Sequence, residues 1–154
     1  MGLLGFAAPD QDSPVPLENR RYHLDHVNIL EHTMYSERLL DHFQNPRNVG
    51  ELEAPAVTVE VSNPACGDIL RLSVRFEGET AVEARYKVRG CTASIAAGSA
   101  LTEWITGKTR TEIATLQPAA IEEAVGGLAA ESKHAAVLAV DGVKMLLRRV
   151  QALQ

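Results

Sequence analysis

"VTVEVSNPACGDILRLSVRF", residues 57–76, sets the architecture of the chain. Val57, Val59 and Val61 alternate with Thr58, Glu60 and Ser62. After "NPACGD" (63–68), Leu70, Leu72, Val74 and Phe76 alternate with Arg71, Ser73 and Arg75. A period of two marks a strand with one buried face. "EGET" (77–80) is a turn, and Val82, Ala84, Tyr86 and Val88 then alternate with Glu83, Arg85 and Lys87. Three consecutive strands with short connections predict an antiparallel meander.

Helical signals surround these strands. "YSERLLDHF" (35–43) places Tyr35, Leu39, Leu40 and Phe43 on one stripe, ended by "NPRNVG" (45–50). "TASIAAGSALTEWITG" (92–107) is rich in small residues, with Leu101, Trp104 and Ile105 as anchors and Gly107 as the stop. Thr109 and Glu112 fit a capping box. "PAAIEEAVGG" (118–127) has proline at its start and glycines at its end, the order expected of a helix. In the last helix, Ser132 is the expected N-cap, and Val140, Val143, Leu147 and Val150 form the apolar stripe. Strands followed by helices predict an α+β sandwich: a three-stranded antiparallel sheet covered by helices on one face.

The bulk numbers exclude several classes. A chain of 154 residues suits one domain, and a net charge of −5 with 5% aromatics argues against binding nucleic acid. No apolar run approaches the roughly 18 residues of a membrane span. Two cysteines are too few for a disulfide scaffold, so a reduced cytoplasmic setting is expected. Residues 1–33 differ from the rest, with prolines at 9, 14 and 16 and five of the twenty acids but two of the fifteen bases. They are expected to form a disordered or loosely helical extension, leaving 34–154 as the domain. His23 and His26 could clip a metal, but no partners for them are evident.

The chemistry gathers at element ends. Cys66 and Asp68 lie on the turn between two strands, although Asp68 could simply cap an Asx turn. Cys91 stands where the third strand meets a helix, and a helix N-terminus makes a thiol easier to ionise. His134 opens the last helix, and Gly67 and Gly90 allow close backbone approach and unusual φ values beside these residues. Two thiolates, an imidazole and a carboxylate suit zinc, and histidine can also replace cysteine at an iron–sulfur centre. Spacing alone leaves inert buried thiols open as a reading.

These stretches carry a resemblance. "MYSERLLDHFQNPRNVGEL" (34–52), "NPACGD", "GCTASIAAGSALTEWITGK" (90–108) and "KHAAVLAVDGVKMLL" (133–147) resemble the IscU/NifU N-terminal family of iron–sulfur cluster assembly scaffolds. The resemblance implies the SufE/NifU-like sandwich and makes Met34 the natural start, with 1–33 an extension or a mis-assigned start. It implies that Cys66 and Cys91 are the first two cysteine ligands, that Asp68 is the acid that keeps the cluster labile, and that His134 is the histidine ligand. Family members usually read His-Cys at the last position, whereas this chain reads His134-Ala135. The family's third cysteine is thus replaced by alanine, and sulfur must be accepted at Cys91 or Cys66 or arrive as sulfide.

The implied function is non-enzymatic. A transient [2Fe–2S] cluster, or iron, is bound and handed to apo iron–sulfur proteins, with sulfur from a cysteine desulfurase. The Pro-Pro-Val-Lys segment that a dedicated Hsp70 chaperone reads in some scaffolds is here "LAAESKH" (128–134), with Lys133 but no proline, so the resemblance does not extend to that chaperone. A homodimer sharing one cluster is one answer to the missing cysteine. A second reading is a zinc- or iron-binding regulatory module of the same assembly system. A third, a transferase with Cys91 as nucleophile and His134 as base, lacks any substrate-pocket signature.

Overall fold

The computed structural model describes residues 35–154. The extension, Met34 and the His23/His26 pair lie outside the described residues. The chain runs α1 (Glu37–Gln44), β1 (Val57–Ser62), β2 (Ile69–Glu77), β3 (Thr80–Arg89), α2 (Thr92–Ile105), α3 (Arg110–Ile113), α4 (Pro118–Ala124), a 3-10 turn (Ala130–Ser132) and α5 (His134–Ala152). The sheet is antiparallel in the order β1-β2-β3, as its alternation predicts.

One face of the sheet is apolar and meets the helices. Val59, Leu70, Leu72, Val74, Ala84 and Tyr86 are buried there, with α5 packed on β1 and β2 and α2 on β3. Each large aliphatic side chain so buried contributes about 1.5–3 kcal/mol of transfer free energy. The other face is polar. Arg71 pairs with Glu51 and Glu60, Arg75 with Glu77 and Glu83, and Arg85 with Glu83. Thr58 and Ser73 share a 2.8 Å hydrogen bond on that side, which satisfies the buried Ser73 hydroxyl.

The alternation fails at one end of β3. The register shifts between Arg75 and Phe76: Arg75 faces Glu83 but Phe76 faces Ala81, leaving Val82 without a partner in the ladder. This bulge re-aims the strand, so Ala81 enters the core and Val82 is only half-buried.

The helices hold two corrections. Ser132 does not cap α5; it ends the 3-10 turn, and Lys133 already has helical dihedrals, so the turn runs straight into α5. Leu147 packs half-buried against the core, but Leu146, outside the expected stripe, is fully buried, because α5 meets the sheet, α2 and α4 and needs a wider apolar face than one stripe. Elsewhere the local signals hold. The Thr109/Glu112 capping box is present, Gly107 follows α2 at φ +92, and Ser36 caps α1 through the Leu39 N–H. Tyr35 precedes α1 and bridges to Leu128, so the α1 stripe starts later than its sequence suggests. "NPRNVG" does more than end α1. The Tyr86 N–H donates to the Asn48 carbonyl and the Gly50 N–H to the Tyr86 carbonyl, so the segment pairs with the edge of β3.

Gly98 lets α2 lie close against Tyr86 of β3. A Cβ there would lie 2.4 Å from Tyr86 Cδ2, and the Tyr86 hydroxyl is pinned to the Ile95 carbonyl at 2.8 Å. Glycine-to-alanine normally favours a helix interior by about 1 kcal/mol. Here Gly98→Ala is expected to destabilise the fold by about 1–3 kcal/mol through overpacking. Chemical denaturation measures it, and a stabilised variant would show that α2 can move off the sheet.

Candidate metal centre

Residues 63–68 are shaped by their own backbone. The Asn63 N–H donates to the Asp68 carbonyl at 2.9 Å, extending the β1–β2 ladder by one pair. The Gly67 N–H donates to the Asn63 carbonyl at 2.7 Å, and Gly67 takes φ +76, a conformation that favours glycine. The Asn63 side chain accepts from the Ala65 N–H at 2.9 Å. The Asx turn therefore belongs to Asn63 and not to Asp68. Its closure leaves Cys66 exposed at the tip and turns Asp68 inward, where it is 6% exposed.

Asp68 is the hub of the site. Its Oδ2 accepts from the Ser94 hydroxyl in a short contact and from the Cys91 thiol at 3.4 Å, and stands 3.5 Å from His134 Nε2. Burial pushes its carboxyl upward. The hydrogen bonds from Ser94, the Cys91 thiol and the Cys91 N–H, with the charge of His134, outweigh that and hold it below the usual carboxylate range.

The other groups arrive on element ends. Cys91 is the N-cap residue of α2, but its sulfur makes no cap hydrogen bond and is engaged with Asp68 instead. His134 is the first residue of α5, and its Nε2 lies 3.6 Å from Cys91 Sγ. Its Nδ1 sits 3.1 Å from the Glu131 carbonyl. A carbonyl only accepts, so Nδ1 carries a proton; Nε2 pairs with Asp68 when the ring is charged and offers its lone pair to the site when the ring is neutral. Imidazoles that ligate metals are held by this same kind of outer bond.

The structure therefore brings together Cys66, Asp68, Cys91 and His134. Donor atoms of Cys66, Asp68 and His134 all lie within 4.8 Å of one another, and Cys91 contacts the latter two. Two sulfurs, one imidazole nitrogen and one carboxylate oxygen are donors that zinc or an iron–sulfur unit accepts, so the residues fit such cargo. Ala135, next to His134, is buried at 1% exposure. His42 takes no part; its Nδ1 bonds Ser99 at 2.8 Å, and burial, with the charge of Arg47, lowers its pKa.

The sequence context leaves Ser94 unannounced and gives only half of the role of Gly90. Ser94 is 2% exposed and bonds Asp68. The one signal for it is its place three residues after Cys91, on the same face of the first helical turn. Gly90 does not take the unusual φ expected of it, being absent from the positive-φ glycines. It is needed for space: a Cβ there would lie 2.6 Å from Asp68 Cγ and 2.9 Å from each carboxylate oxygen.

The chain matches the family described as NifU-like N terminal domain over residues 34–152. It is 41% identical over 118 residues to the iron-sulfur cluster assembly scaffold protein IscU of Azotobacter vinelandii, covering 74% of this chain and 91% of that one. It is 38% identical over 114 residues to the protein of the same name from Escherichia coli K12, covering 71% and 88%. Among solved structures, the N-terminal NifU-like protein of Brucella abortus superposes with TM-score 0.63 at 17% identity, over 77% of this chain and 95% of that one. A putative scaffold protein for the SUF system from Fervidobacterium islandicum gives 0.60 at 22%, over 75% and 98%. These two support the fold. Among the described residues no helix is long and apolar enough to cross a membrane.

Because the three nearest atoms to a Cβ on Gly90 all belong to Asp68, Gly90→Ala tests the hub. It is expected to displace the carboxylate and weaken zinc binding by about 10-fold, within the range for disturbing a ligand's support. Chelator competition reads the affinity; an unchanged value would mean that Asp68 is not needed where it stands.

Proposed function

The chain belongs to the family of NifU-like N-terminal domains, and from that premise we propose that it is an iron–sulfur cluster assembly scaffold. It binds a transient [2Fe–2S] cluster, or iron, on Cys66, Cys91, His134 and Asp68 and gives it to apo-proteins. The scaffold function rests on its kinship with IscU proteins. The assignment of residues rests on one observation: the donors of Cys66, Asp68 and His134 converge within 4.8 Å beside Cys91.

The roles follow from position. Cys66, at an exposed loop tip, is the ligand best placed to meet incoming sulfur and a recipient's thiols. Cys91 and His134 are held by the ends of two helices and define the rigid side of the site. Asp68 supplies a hard oxygen donor, a poorer partner for a sulfide-rich cluster than a thiolate. A site with two thiolates in place of four grips its cargo less firmly, which suits a protein that must release it.

We read Ala135 as standing where the family's third cysteine would be. Sulfur then comes from a cysteine desulfurase onto Cys66 or Cys91, or as free sulfide. Residues 1–33 are an extension to the domain that begins at Met34. A zinc-binding module of the same assembly system is the second reading, because four donors of types zinc accepts are complete without sulfide.

Anaerobic reconstitution with ferrous iron and sulfide separates the two. The scaffold reading expects near-equal iron and acid-labile sulfide per chain; zinc retained with no sulfide would overturn it. Cys91→Ser is expected to lose the cluster, since one thiolate remains, and full iron and sulfide in that variant would refute the assigned ligands. Ala135→Cys is expected to raise the iron and sulfide retained after desalting. No gain would mean that residue 135 serves the core and not the site.

A further inference from the structure

Ser94 is buried within α2 among Ala93, Ala96 and Ala97, where a hydroxyl has no packing advantage over a methyl group. A buried hydroxyl costs stability unless it is hydrogen-bonded. Other buried hydroxyls of α2 have partners elsewhere: Ser99 faces His42 and the Arg47 N–H, and Thr102 donates to the Ser99 carbonyl. The partners of the Ser94 hydroxyl are Asp68 and Cys91, both in the candidate centre.

We propose that Ser94 is a positioning residue of the metal centre, fixing Asp68 Oδ2 so that the carboxylate is aimed at the cargo before it arrives. This rests on the scaffold reading for its biological meaning but not for its test. A hydroxyl has one proton, and a carboxylate can only accept, so the short contact directs that proton to Oδ2. In the metal-free site Oδ2 also receives the Cys91 thiol proton. When Cys91 binds a metal, its thiol proton leaves, and Asp68 loses that donor. Ser94 remains, holding the carboxylate while a lone pair opens toward the metal. Without it Asp68 would have to be reoriented each time the site is filled.

The test is a double-mutant cycle on zinc affinity, using the full-length, reduced, metal-free chain and a competing chelator. Alanine is a better helix former than serine, so Ser94→Ala is expected to keep the fold. It is expected to weaken zinc binding by about 10-fold, the lower end of the range for loss of a ligand's outer partner. Asp68→Ala also weakens binding, and adding Ser94→Ala to it costs nothing more, because Ser94 acts through Asp68. Wild-type affinity in Ser94→Ala, or a full second loss in the Asp68→Ala background, would overturn the proposal. A chain that shows this pattern with zinc yet retains no labile sulfide would support Ser94 as a positioning residue while removing the scaffold reading. A chain that binds no zinc would overturn the positioning proposal, while iron and labile sulfide after reconstitution decide the scaffold reading separately.

Discussion

A carboxylate taken out of water must be paired, and Asp68 imposes that condition on the whole functional end of the molecule. It is 6% exposed, and three segments converge to satisfy it. The residue before the α2 N-cap must be glycine, because any Cβ at position 90 would strike the carboxylate. The N-cap of α2 must donate, and Cys91 does so with both its thiol and its N–H. Ser94 supplies a hydroxyl from the first turn of α2, and His134 brings the start of α5 against the same oxygen. The buried charge thus ties strand, loop and two helices together.

That constraint also orders the proposed site before any cargo binds. Each candidate ligand other than Cys66 has an outer contact that fixes it before any metal arrives: Glu131 behind His134, Ser94 behind Asp68, the helix backbone beneath Cys91. Preorganisation of this kind lowers the cost of binding. Yet the set holds two sulfurs instead of four, and its oxygen donor already has protein partners to return to when the cargo leaves. In the proposed role, binding is prepared and release is opposed by fewer metal–thiolate bonds.

Much of this is legible in the residues. Period-two alternation places the three strands, because only one sheet face meets helices, and NPACGD, GCTAS and KHAA mark the element ends that hold the site. The misreadings share a cause: each depends on partners far away in sequence or on how neighbouring elements join. The bulge that exchanges Val82 for Ala81 is set by pairing with β2. Leu146 is buried because α5 meets several elements at once, and Ser132 does not cap because the 3-10 turn merges with the helix. Ser94 is one more small residue in a small-residue helix until Asp68 is placed against it. Sequence periodicity reports which face is buried and is silent on what that face meets.

Transfer to a recipient decides whether this site holds a cluster in order to lose it. The chain would be reconstituted anaerobically, desalted, and mixed with an apo-ferredoxin that takes a [2Fe–2S] cluster, with the visible spectrum of the ferredoxin followed over time beside a chelator control. For a scaffold, the ferredoxin acquires its cluster faster than chelator captures iron, and the donor chain loses iron and sulfide in equal amounts. A cluster that stays on the chain while the ferredoxin remains empty would contradict this mechanism.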